Sequence, residues 1–212
     1  MDLIKIIEQS ISEQKNEIRS YIGASSIGNP CERAIWYGLN QPEDKIVSTR
    51  QLLTFEIGKA LEYMLIYKLM TLPHGIPSKY CAKEYELFQG TPDLFILDKK
   101  LKPIYILEIK TAKDSSFNIF KKKGLRLWYP EYYDQVQSYM GMSGVYKAIM
   151  LAINKDSSEL HQETVNYDEN RYKYLVAKAK RIGDAKIMPE KINESASFFR
   201  CKMCFYLGVC HD

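Results

Sequence analysis

The chain has 212 residues, 46% hydrophobic and 26% charged, the balance of a globular protein with enough apolar residues for one core. Its formal net charge is only +4, so the total gives no sign of a generally basic nucleic-acid binder, and local clustering has to carry that question. No apolar run approaches the roughly 20 residues of a membrane span, and the acid-bearing start MDLIKIIEQSISEQKNEIRS lacks the plain apolar stretch of a signal peptide; the expectation is a cytoplasmic protein with no membrane partner.

In chain order, Leu3, Ile4, Ile7, Ile11 and Ile18 recur at helical spacing within residues 2–22. GASSIGNP, residues 23–30, is a breaker-rich loop, and 31–39 reads as a short helix stopped near Pro42. Ser48 or Thr49 can cap a long helix with Leu53, Ile57, Leu61 and Leu65 at i, i+4 spacing, ended by the stretch from Leu72 to Pro77. Three strand-like runs follow, roughly 79–88, 92–98 and 103–110, the last two separated by a turn at 98–103.

Next come Lys121, Lys122, Lys123 and Arg126, with Phe120, Trp128 and Tyr129 interleaved. Basic and aromatic residues together suit phosphate contacts and base stacking on a single strand; the other reading is a solvated loop with a core tryptophan. Lys113 and Arg33 are further candidates for the same contacts. Pro130 opens a helical pattern through Tyr139, 148–153 and 164–167 read as short strands, and Asp168 can cap a helix reaching about Ile182. This order predicts an α/β fold, a central mixed β-sheet flanked by helices.

The chemistry concentrates in GTPDLFI (90–96) and ILEIKT (106–111). Strand alternation puts Glu108 and Lys110 on one face and Ile109 on the other. Carboxylates gathered with Asp93 repel unless a cation sits between them. Mg²⁺ or Mn²⁺ prefers such oxygen ligands, and the backbone carbonyl of Ile109 can add one. A charged pair on a solvated strand face is the plain alternative. Upstream, Gly58 and Glu62 share a helical face; downstream, so do Gln135 and Tyr139. Singly, each pair also fits ordinary helix packing.

Together these residues resemble the PD-(D/E)XK nuclease superfamily. Pro92-Asp93 and Glu108-Ile109-Lys110 match its signature, Gly58 to Glu62 is similar to the G-x-x-x-(E/H) element of RecB-like members, and Gln135 to Tyr139 is similar to their Q-x-x-x-Y motif. The resemblance implies a restriction-endonuclease-like core in which Glu62, Asp93 and Glu108 bind Mg²⁺ or Mn²⁺ and Lys110 assists the attacking water. Gln135 would hold the lysine or a phosphate, and Tyr139 would contact the DNA backbone or stack. The implied activity is exonucleolytic hydrolysis of single-stranded DNA ends, in DNA repair, recombination, phage DNA processing or CRISPR adaptation, with partners from those systems.

Five cysteines in a reducing compartment favour metal binding or burial over disulfides. Cys201, Cys204 and Cys210 form C-x2-C-x5-C, three ligands where a closed site needs four, and Cys31 in NPCER is a candidate fourth. One early cysteine with three late ones, and the local words CERAIWYG and CKMCFYLGVC, resemble the iron–sulfur nucleases, the AddB-type domains and the CRISPR-associated Cas-four exonucleases. That implies a [4Fe-4S] cluster joining segments 25–40 and 195–212 around a nuclease core at about 48–185, all in one domain. By closing a loop of about 170 residues, the cluster would act structurally. Zinc on Cys201, Cys204, Cys210 and His211 is the competitor. Cys81 reads as a buried strand residue. Two other function classes stay open: a non-catalytic DNA-binding or scaffold protein with this fold, and an iron–sulfur redox protein.

Overall fold

The computed structural model describes residues 2–13, 19–71, 75–77, 82–85 and 87–211. Cys81, Ile18, residues 72–74 and the opening of the 79–88 run lie outside them. Helix α1 (Leu3–Ser12) buries none of its side chains. Strand β1 (Ile22–Gly23) leads into the GASSIGNP turn, and α2 (Glu32–Asn40) follows with Cys31 at its N-cap. Helix α3 (Thr49–Met70) starts with a reciprocal capping box between Ser48 and Gln51, which satisfies two orphan groups of its first turn.

Five strands build the central sheet: β2 (Gly75–Pro77), β5 (Leu94–Leu97), β6 (Pro103–Ala112), β7 (Lys147–Asn154) and β8 (Leu160–Asn166), in the order β2-β5-β6-β7-β8. The pairings are antiparallel except β6 with β7, which run parallel from Ile106↔Ala148 to Ala112↔Asn154. A parallel pair needs a crossover. It is supplied by α4 (Asp114–Lys123), α5 (Leu125–Trp128) and α6 (Pro130–Ser143), the last opened by Pro130 where a missing N–H costs nothing. The expected mixed sheet flanked by helices is thus present.

A second, three-stranded sheet was not expected from the sequence. Strands β3 (Ala82–Tyr85) and β4 (Phe88–Gly90) split the 79–88 run into a hairpin, and β1 pairs parallel with β4 through Ile22↔Phe88. Ile22 and Phe88 pack with Ile27, Ile35 and the buried face of α7 (Glu169–Gly183), which Asp168 caps through the Arg171 amide.

Strand β6 is covered on both faces. Ile106 and Ala112 join the main core with Val136 and Met140 of α6, while Leu107 and Ile109 pack against Leu65, Ile66 and Leu69 of α3. Only the C-terminal part of α3 covers the sheet in this way. Leu53 and Ile57, at the same i, i+4 spacing, are exposed, because apolar residues surround this helix rather than forming one face. Among the described residues no helix is long and apolar enough to cross a membrane.

The tail folds back onto α2. Short helices α8 (Phe199–Lys202) and α9 (Leu207–His211) carry the late cysteines. Tyr37 stacks on Tyr206 and donates to the Val209 carbonyl at 3.1 Å, and the Arg33 Nε donates to the Pro189 carbonyl at 2.6 Å. The Ile46 amide donates to the Phe205 carbonyl at 2.9 Å.

Candidate active site

The acidic set forms where three elements meet. Strand β6 presents Glu108 and Lys110 from one face, toward α6. Asp93 sits in the bend just before β5, beyond the last ladder pair Leu94↔Leu107, and its Oδ2 accepts the Ile109 amide at 2.7 Å. A side chain thus takes over where strand pairing ends, and this fixes the carboxylate against the edge of β6. Glu62 approaches from α3, whose Gly58 lies over Thr111 of β6.

Glu108 is 2% exposed and shares one oxygen between two donors. Its Oε1 accepts from the Lys110 Nζ at 2.5 Å and from the Gln135 Nε2 at 2.6 Å; the same Gln135 nitrogen donates to the Tyr139 Oη at 2.8 Å. Its Oε2 is buried with no hydrogen-bond partner. A buried acceptor without a partner is costly, and such an atom calls for an explanation.

Electrostatics follow from this burial. Loss of water pushes the Glu108 carboxyl up to about 8; the Asp93 and Glu62 charges add to the rise, and Lys110 opposes it. Burial likewise raises Asp93, again against the pull of Lys110. It raises Glu62 too, with Asp93 adding to the effect. Although burial disfavours its charge, the Lys110 ammonium is held by Glu108 and Asp93 so that its pKa rises. Three carboxyls pushed toward their neutral forms around one ammonium lack positive charge.

The structure gives two of these side chains partners. Gln135 donates to the glutamate, its amide buried against Glu108. Tyr139 is buried too, with its hydroxyl on Gln135, so its ring is not available to stack on a base. Gly90 is packed so tightly against the Tyr139 ring that an added Cβ would stand 2.6 Å from it. Tyr132 was missed. Its ring lies 5.1 Å from the Lys110 Nζ, a cation–π distance. The available signal was its spacing: Tyr132, Gln135 and Tyr139 fall on one helical face at i, i+3 and i+7.

The basic run also differs from its reading as a loop. Lys121, Lys122 and Lys123 form the last turn of α4, Lys121 pairs with Glu159 at 2.5 Å, and Arg126 lies over the Tyr133 ring. Phe120 and Trp128 are core residues stacked on each other at 4.5 Å, so neither is open to a base; Tyr129 is exposed.

The chain shares its fold with exonucleases. The crystal structure of SSO0001 aligns over 99% of this chain and 96% of its own, with a TM-score of 0.65 at 17% identity. An alkaline exonuclease from Laribacter hongkongensis, LHK-Exo, aligns over 77% of this chain and 86% of its own, with a TM-score of 0.56 at 14% identity. The same exonuclease in complex with dAMP gives 0.54 over the same shares and at the same identity. No protein-family model matches the chain, and no curated protein does.

The donor chemistry of the acidic set fits a divalent cation. Among the described residues no group of three or more His, Cys, Asp or Glu is gathered closely enough to hold a metal ion. Mg²⁺, however, takes one or two carboxylates and keeps waters for its other positions, and the free Glu108 Oε2 beside Asp93 meets that lesser demand. The four thiols fit less closely. Cys31, Cys201, Cys204 and Cys210 line one cavity, and burial, with Cys31 and Cys210 adding to it, raises the pKa of Cys201 and Cys204, yet they are not drawn together as ligands of a single ion. The Arg33 Nη1 lies 4.0 Å from the Cys210 Sγ. His211 carries a buried Nε2 without a partner.

Proposed function

We propose that the protein is a metal-dependent deoxyribonuclease, an exonuclease hydrolysing phosphodiester bonds at DNA ends. The observation that carries this reading is the buried Glu108, held through one oxygen by Lys110 and Gln135 and left with the other free beside Asp93. The fold shared with an alkaline exonuclease that has been crystallised with dAMP supports it.

Asp93 and Glu108 hold Mg²⁺ or Mn²⁺ in this proposal, with Glu62 and the Ile109 carbonyl completing its surroundings. The ion, when bound, supplies Lewis-acid polarisation of a phosphoryl oxygen and acidifies a water. Lys110 stands beside Glu108 and stabilises negative charge on the attacking oxygen. Lys110 and Gln135 hold the Glu108 Oε1, with the Tyr139 hydroxyl on the Gln135 amide, which leaves the Oε2 as the oxygen that would meet an ion. Tyr132 steadies the Lys110 ammonium. The Lys121–Lys123 turn and Arg126 supply outlying phosphate contacts.

The test is release of label from 5′- and 3′-labelled single-stranded DNA with Mg²⁺ or Mn²⁺. Lys110→Ala and Asp93→Ala should each lower the rate by about 100-fold or more. If both cleave as fast as the unmodified protein, the assignment is wrong and a non-catalytic DNA-binding role takes its place.

For the thiols, we propose a structural [4Fe-4S] cluster on Cys31, Cys201, Cys204 and Cys210, because a cluster of several metal atoms spans more space than a single ion. The second reading, zinc on the three late cysteines and His211, has the unpartnered His211 Nε2 in its favour. Metal analysis of anaerobically purified protein separates them: four irons and a brown colour, or one colourless zinc per chain.

A further inference from the structure

The two edges of the central sheet differ in how they are guarded. At one edge, β2 has three residues and ends in Pro77, which has no N–H to offer. At the other, β8 has seven residues, LHQETVN, with no proline, lysine or arginine among them. Short length, proline and lysine are the usual guards of an edge, because unpaired N–H and C=O groups invite another strand. Among the described residues nothing pairs with the outer side of β8.

The register decides which backbone groups are open. The Asn154 amide donates to the Glu159 carbonyl at 2.9 Å, and the Tyr167 amide to the Tyr146 carbonyl at 3.1 Å, so bonded pairs bracket the β7–β8 ladder and set its phase. Bonded and non-bonded pairs alternate in an antiparallel ladder. His161, Glu163 and Val165 therefore turn their main chain toward β7. Leu160, Gln162 and Thr164 turn theirs outward, and all three residues are exposed. The open stretch stops at Asn166, whose carbonyl accepts the Gln137 Nε2 at 2.9 Å.

These outward groups suit a second β8 running antiparallel about a two-fold axis. Three registers can use them, centred on residue 161, 162 or 163, and charge separates the three. Centred on His161, the pairing sets Glu159 opposite Glu163 of the other copy. Centred on Glu163, it sets that acid opposite itself. Like charges directly opposite one another destabilise a strand pair. Centred on Gln162, it sets His161 opposite Glu163 of the other copy, twice by symmetry, and Leu160 opposite Thr164. Gln162 then meets itself, with an amide that both donates and accepts. The two side chains of the His161–Glu163 pair are already held in place. The imidazole packs edge-on to the Phe120 ring at 4.8 Å, and Glu163 accepts the Leu125 amide at 2.7 Å through its Oε2 alone.

We propose that β8 is a self-association edge, pairing antiparallel with β8 of a second copy about an axis at Gln162 and joining two central sheets side by side. This does not rest on the nuclease reading, and its test uses no DNA. A single ladder is a small interface, so sedimentation is followed over about 1 to 200 µM protein, where a monomer–dimer equilibrium should be seen. Gln162→Pro removes the outward N–H from both copies and leaves the bonds to β7 in place, so it should weaken the dimer by about ten-fold or more while melting of the dilute protein is unchanged. Thr164→Lys, which sets a lysine on the edge, should weaken it as well. Amide hydrogen exchange reads the register: the Gln162 and Thr164 amides should slow as concentration rises, while those of His161 and Glu163, already bonded to β7, should change far less. A monomer throughout the range overturns the proposal. So does a dimer that Gln162→Pro and Thr164→Lys both leave intact, or one in which exchange at Gln162 does not depend on concentration.

Discussion

The acidic site and the thiol site are both assembled from distant parts of the chain, by opposite means. The acidic residues stand on the central strand, a long helix and the crossover helix, and Glu108, Gln135 and Tyr139 are already joined by hydrogen bonds. The thiols stand at a helix N-cap and on two helices of four and five residues, held near each other by contacts such as Tyr37 with Val209. Regular elements buried on both sides fix side-chain positions before any ligand arrives. Short segments do not, so under the proposed reading the thiol site would depend on a bound metal for closure, whereas the acidic site would depend on one only for charge.

Several changes would break or sharpen that contrast. The largest effect expected is on turnover. Glu108→Gln keeps the shape of the side chain and removes its charge, so label release should fall by about 100-fold or more. Thermal melting of the metal-free protein at pH 8 should at the same time hold steady or rise, because no carboxylate is then forced to ionise in a buried place. A melting temperature that falls together with activity would mean that the site is structural.

Next in size is Gln135→Leu. It strips Glu108 and Tyr139 of a shared donor inside the core and should cost about 2 kcal/mol in denaturant unfolding, with lower activity. Comparable in stability but not in chemistry is Cys201→Ala. Melting should drop with loss of the bound metal, while Mn²⁺ affinity at the acidic set stays within about two-fold, since the set rests on the sheet. Loss of Mn²⁺ binding there would show the two sites to be one unit.

The pH dependence gives a smaller, graded effect. The Glu108 carboxyl is raised from its usual 4.5 to about 8 in the fold, so the folded state binds its proton more tightly than the unfolded chain does. Its contribution to stability is therefore complete below pH 4.5 and is lost as pH rises through about 8. Metal-free protein should become less stable across that window, and saturating Mn²⁺ should remove the trend. A trend unchanged by Mn²⁺ would detach the carboxyl from the ion.

Much of this site was legible because its chemistry follows short periods. Alternation along β6 set Glu108 and Lys110 on one face, and Pro130 announced the helix that carries Gln135 and Tyr139. The roles were less legible than the positions. Which partner Gln135 holds is decided by the distance between α6 and β6, and Tyr139 is sealed in by Gly90 from β4, 49 residues upstream. The small sheet was hidden because its strands are two to four residues long and pair Ile22 with Phe88. Three consecutive lysines concealed α4, whose buried face is only Phe117 and Phe120.

The most direct measurement is calorimetric titration of Mn²⁺ into metal-free protein at pH 7 in buffers of different ionisation enthalpy. With the Glu108 carboxyl at about 8, binding should expel close to one proton, and Glu108→Gln should abolish both that release and tight binding. Equal Mn²⁺ affinity and equal proton release in the two proteins would contradict the claim that Glu108 and Asp93 hold the catalytic ion.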